Sequence, residues 1–169
     1  NPNSSQAYVI LGLAFFHLSP GNNAICYLQR ATMVDVNNND ALNDLGVLLL
    51  KQGDIDKSTR VLKNSIIQKP THIDSYNSLN SCMRANKNFN LSQTISKFAL
   101  ILNPNNAISN NNFGADLIEI GESKKAIAFL EKSVFLDPLF SDALYNLGIA
   151  IYNTHDTQTG IEQFKRALL

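Results

Sequence analysis

The side chains with the most chemistry to offer in this chain are its asparagines, which cluster at Asn37-Asn38-Asn39 and Asn110-Asn111-Asn112 and recur at Asn43, Asn77 and Asn146. Each carries a carbonyl acceptor and an amino donor on one short side chain. Arrayed along a surface, such amides can pair with both the N–H and the C=O of an extended peptide, gripping backbone without demanding a sequence. A compositional explanation competes: Asn, Ile and Lys are all frequent, as an A/T-rich coding sequence would produce, and scattered surface amides are simply solvated. Covalent chemistry is poorly provided for. His17, His72 and His155 have no sequence-local partner and are expected at the surface or at helix ends. There is no nucleophile motif, glycine-rich phosphate loop or metal-ligand spacing, so no catalytic residue, cofactor or metal is expected. Cys26 and Cys82, the two cysteines, lie in apolar helical patterns at different phases and are expected as buried free thiols.

The elements that would position these residues repeat. Positions 12, 46, 80, 114 and 148 are spaced by 34 residues and hold glycine at all but Asn80, and the residue before each is apolar. A fixed period in this range is the signature of stacked repeats. Each unit reads as two helices. In the first, Tyr8, Leu11, Phe15 and Leu18 share a face at spacings of three and four. Ser19-Pro20-Gly21-Asn22 interrupts, and Ala24, Leu28 and Ala31 resume the rhythm. The later units stop at Gly53-Asp54 and Gly121-Glu122 and end at Pro70, Pro104 and Pro138, since proline ends a helix. The third unit is degenerate, with Asn80 for glycine, Ser92 and Ser96 at the later small and large positions, and Lys87-Asn88 at the turn.

Composition adds limits. Formal charge is zero, from 14 basic and 14 acidic residues, and no run of like charge suggests a nucleic-acid footprint or a polybasic membrane anchor. No apolar stretch approaches the ~20 residues needed to cross a bilayer, and no signal-peptide pattern opens the chain. A soluble, cytoplasmic chain is expected.

The 34-residue pattern resembles the tetratricopeptide repeat (TPR). The family's bulky first position is matched by Tyr8, Leu42, Tyr76, Asn110 and Leu144, and its later alanine by Ala24, Ser58, Ser92, Ala126 and Gly160. The aromatic position holds Leu28, Leu62, Ser96, Leu130 and Phe164, and the last alanine holds Ala31, Ser65, Ala99, Ser133 and Ala167. Pro2 looks like the closing proline of an earlier repeat. The resemblance implies an all-α, right-handed solenoid of about five repeats and ten helices, over 5–38, 39–72, 73–106, 107–140 and an incomplete 141–169. One array would fill residues 1–169 as part of a longer one, because Leu168-Leu169 is unlike a polar cap.

In that family the exposed sides of the first helices line a concave groove. Carried onto this chain, the groove would be lined by Val9, Leu13 and Phe16, then Asn43, Val47, Leu50 and Lys51, then Asn77, Ser81 and Arg84. Asn111, Asn112, Ala115 and Glu119 would follow, and finally Tyr145, Asn146, Ile149 and Tyr152. The Asn-Leu-Gly phrase at Asn146 is similar to repeats of O-linked N-acetylglucosamine transferases, where an asparagine ladder holds peptides. The matching positions Ile10, Asp44 and Ser78 leave a ladder incomplete here. The Lys/Asn carboxylate clamp of chaperone adaptors is missing. The resemblance thus implies a non-enzymatic module that binds a protein or peptide, with a substrate-recruiting segment of a larger enzyme, such as a glycosyltransferase, as the alternative. Self-association through the apolar groove ends is a further expectation.

Overall fold

The computed structural model describes residues 4–18 and 22–168. Expectations resting on Pro2, on the Ser19-Pro20-Gly21 break, on the side chain of His17 and on Leu169 lie outside the described residues. Ten α-helices and no strand are found among the described residues. They fall into two compact units.

The first unit, up to Asn86, holds α1 (Ser5–Leu18), α2 (Asn22–Val34), α3 (Asn39–Lys51), α4 (Ile55–Gln68) and α5 (Ile73–Ala85). Consecutive helices pack on one another, and α3 also packs on α5, the first helix of the next repeat. Val9, Leu28, Ala31, Leu45 and Leu49 belong to one buried cluster across α1, α2 and α3. The second unit, from Lys87 on, holds α6 (Phe89–Leu102), α7 (Ala107–Glu119), α8 (Ser123–Leu136), α9 (Ser141–Tyr152) and α10 (Thr157–Ala167). Its core joins α7, α8 and α9 through Leu117, Ala126, Leu130, Leu147 and Ile151.

Within a repeat the pairing is small against large. A Cβ added at Gly46 would lie 2.6 Å from Leu62 Cγ, and one at Gly148 would lie 2.6 Å from Phe164 Cε1. The later small residues fit below the neighbouring helix, and where they are serine their hydroxyls find acceptors. Ser58 Oγ donates to Gly46 O at 2.6 Å, and Ser133 Oγ to Ala107 O at 2.8 Å. A buried hydroxyl without such a partner would cost about 1–3 kcal/mol.

Three of the asparagines cap helix starts. The side chains of Asn38, Asn88 and Asn106 accept from the backbone N–H of Ala41, Leu91 and Ser109, each capping a helix. The turns between paired helices share one left-handed residue at a constant stride: Gly53 (φ 83°), Lys87 (φ 56°), Gly121 (φ 82°) and His155 (φ 72°). The missing glycine at position 87 therefore does not change the turn. A side chain in this conformation costs roughly 1–2 kcal/mol, and Lys87 and His155 bear it.

Candidate functional site: the first-helix faces

Neighbouring first helices meet along one side, α3 on α5 and α7 on α9, and each unit shows how. In the first unit Ser78 Oγ on α5 donates to Asn43 Oδ1 on α3 at 2.8 Å. In the second, Asn146 Nδ2 on α9 donates to Asn111 Oδ1 on α7 at 2.9 Å. Both bonds link a residue to one 35 positions on, so they are the same strut between neighbouring first helices, made once with a hydroxyl and once with an amide.

This strut changes the role of the amide strip. Asn77 and Asn111 are buried, and Asn43 is half-buried with its carbonyl occupied. Asn112 and Arg84 are half-buried. Asn146 is half-buried, and among the described residues its side chain makes no hydrogen bond besides the one to Asn111. Its carbonyl oxygen and second amino proton make no hydrogen bond among the described residues. Tyr145 and Tyr152 are exposed. The Tyr145 ring also lies 5.6 Å from the Phe164 ring of α10, so one of its faces is taken. Val9 and Ala115, expected along the groove, are core residues instead: both are buried, and Val9 packs with Leu28 and Leu45. Lys51 sits over the Phe16 ring, its Nζ 4.4 Å from the centroid, which ties that charge to α1.

Charge on this face is acidic in the first unit. Asp40 and Asp44 lie one turn apart on α3, and Asp74 begins α5. Burial, then the nearby Asp40 and Asp74, push the Asp44 carboxyl above the usual carboxylate range, with His72 pulling weakly the other way. Such a group holds its proton more tightly folded than unfolded. It favours the fold in acid, and that contribution is lost as pH rises through the unfolded and then the folded pKa. Asp44→Asn is therefore expected to raise the Tm at neutral pH, and the gain should vanish below about pH 4, where both forms are protonated. A melting series of both proteins across pH checks this, and a gain that persists in acid would contradict it.

Two expectations about reactive side chains are corrected. His72 is a helix-start residue, but it is buried and partnered rather than isolated. Its Nδ1 lies 2.8 Å from Ser75 Oγ and its Nε2 lies 3.0 Å from Asp40 Oδ1. Asp, His and Ser are thus joined in the order of a catalytic triad, yet Ser75 is fully buried and shares its hydroxyl with Ser65 Oγ at 2.7 Å. No substrate reaches that oxygen, and the chain of contacts braces α3, α4 and α5. Ser75 lies three residues on, within local reach, whereas Asp40, 32 residues away, was invisible in sequence. Cys26 is exposed rather than buried, whereas Cys82 is buried beside Ser58 Oγ at 3.0 Å, and burial pushes its thiol pKa up. No group of three or more His, Cys, Asp or Glu able to hold a metal exists among the described residues.

A thermophilic TPR protein from Thermus thermophilus superposes on this chain with a TM-score of 0.84, over 98% of this chain and 90% of that one, at 20% identity. The fold is that of the TPR. A second TPR structure, YrrB, described as having an unusual peptide-binding site, superposes with a TM-score of 0.67 over 99% of this chain and 87% of that one, at 17% identity. Among curated relatives, the BBSome complex member BBS4 of Bos taurus is 27% identical over 142 residues, 84% of this chain and 27% of that protein. A TPR repeat-containing protein of Methanocaldococcus jannaschii is 28% identical over 162 residues, 84% of this chain and 28% of that protein. The chain thus spans less than a third of the length of these two relatives. No protein-family profile matches it. No helix among the described residues is long and apolar enough to cross a membrane. Within the TPR fold, the first-helix faces are the sides that carry the amide and aromatic residues described above.

Proposed function

We propose that this TPR chain is a non-enzymatic protein-interaction module that takes a peptide segment of a partner against its first helices. The observation that carries this reading is Asn146. Its amide is held in place by Asn111 Oδ1, while its carbonyl and a second proton stay unpaired among the described residues on a half-exposed face. An amide oriented in advance loses little side-chain entropy on binding, and its two groups match those of a peptide backbone. Tyr152 on the same helix adds an exposed aromatic side chain suited to anchoring a partner. The YrrB structure, with its unusual peptide-binding site, and the BBSome membership of BBS4 agree with an interaction role. Recruiting a substrate to a neighbouring catalytic domain would use the same contact.

The test is to select peptides from a random library on the immobilised chain and to measure the winners against Asn146→Ala. Affinity is expected to fall by about five- to tenfold, as for one or two lost hydrogen bonds, measured well below a Tm that drops because the buried Asn111 Oδ1 loses its donor. Peptides that bind the variant as well as the parent would refute a role for this amide.

A further inference from the structure

A zero net charge conceals a separation between the two kinds of helix. The five second helices (α2, α4, α6, α8, α10) hold ten Lys and Arg against three Asp and Glu, a net of +7, and the five first helices hold two against six, a net of −4. The separation holds in each unit by itself. On α2 and α4 there are four basic residues and one acid, and on α6, α8 and α10 six basic and two acids.

The same helices carry an exposed apolar residue at a constant stride. Met33, Ile67, Ile101 and Phe135 stand 34 residues apart in the last turn of α2, α4, α6 and α8, exposed by 79%, 77%, 68% and 84%. Single exposed apolar residues need no explanation. Four at one register, each large and each on a solvent-facing site, do. Every one also has a basic residue one turn earlier: Arg30, Lys63, Lys97 and Lys132 lie three or four positions before it, on the same side of the helix. None of these four cations has an ion-pair partner among the described residues. Each unit thus presents, on two successive second helices, a large apolar side chain beside an unpaired positive charge.

We infer that the second-helix face of each unit forms a docking surface, separate from its first-helix face, for an acidic amphipathic helical segment of a partner protein. The apolar residues give the partner's hydrophobic stripe places to bury, and the cations pair with acids flanking that stripe. Charge complementarity of this kind sets specificity and on-rate and makes binding sensitive to salt. A second copy meeting through the same faces would place positive on positive, which disfavours that occupant.

The experiment uses a fluorescent amphipathic helix of about 20 residues with Leu at helical spacing and Glu on the flanks, a Lys-flanked counterpart, and a scrambled Glu peptide. Anisotropy should show micromolar binding of the Glu helix only, weakening as salt rises. Ile67→Ser with Phe135→Ser, and separately Lys63→Glu with Lys97→Glu, should each weaken it by about tenfold or more. These residues are exposed, so circular dichroism melts should stay close to the parent. Asn146→Ala should leave this binding unchanged, which separates it from the first-helix contact. The proposal is overturned by no preference for the Glu helix or by variants that bind it normally. It is equally overturned if the variants abolish binding to phosphatidylserine vesicles or concentration-dependent self-association while leaving the Glu helix bound.

Discussion

Leu130→Ala is expected to destabilise the second unit by about 2–5 kcal/mol, and adding Gly114→Ala to it is expected to recover part of the loss. Leu130 is fully buried on α8 and lies directly over the bare Cα of Gly114 on α7. A Cβ at position 114 would come within 2.5 Å of Leu130 Cγ and 2.8 Å of Cδ2. In the parent, Gly114→Ala must displace a side chain that has no free space, at about 1–3 kcal/mol, against a gain of about 1 kcal/mol in helix propensity. The net effect is a loss. With Leu130 shortened, the new methyl enters the vacated volume and the propensity gain remains, so Gly114→Ala changes sign between the two backgrounds. Urea unfolding of the four proteins measures the coupling. Simple additivity would mean that this contact does not set how closely α7 and α8 approach.

How much of this was legible in the sequence depended on whether a property belongs to a residue's register or to its partner. The helix pairs were legible because apolar spacing and turn residues are local, and the glycine–leucine contacts because size is fixed by residue type. Register carried more than the local pattern did. Cys26 sits in an apolar stretch, but its equivalents Arg60, Thr94 and Ala128 are all exposed, and so is Cys26. Cys82 shares its register with Leu48, Asp116 and Ala150, all buried, and with Ala14, exposed on α1. Contacts between repeats were not legible. His72 meets Asp40, and Asn146 meets Asn111, through spacings of 32 and 35 residues that depend on how one helix pair sits on the next. Residue type alone leaves the amides of Asn43 and Asn111 open to a ligand, and their placement as struts follows from that stacking. The charge separation needed the helices assigned first, since no run of like charge betrays it.

Replacing Ser92 and Ser96 together by alanine is expected to cost about 2–5 kcal/mol, as much as a large core truncation, although only two hydroxyls are lost. Asp116 is fully buried on α7, its Oδ1 accepting from Ser92 Oγ at 2.5 Å and its Oδ2 from Ser96 Oγ at 2.7 Å. Burying a carboxyl group is tolerable only while its oxygens are engaged, and these serines reach it from α6 across the contact between repeats. Removing them takes two donors away from a buried carboxyl where water cannot follow. At the same register one repeat later, Ala126 stands for Ser92 and Ala150 for Asp116, both fully buried. Adding Asp116→Ala to the double variant removes the carboxyl that has lost these two donors and should therefore give back part of the stability, despite deleting more atoms. Urea unfolding decides it. A triple variant weaker than the double would mean that the volume of Asp116, rather than the satisfaction of its oxygens, holds α6 against α7.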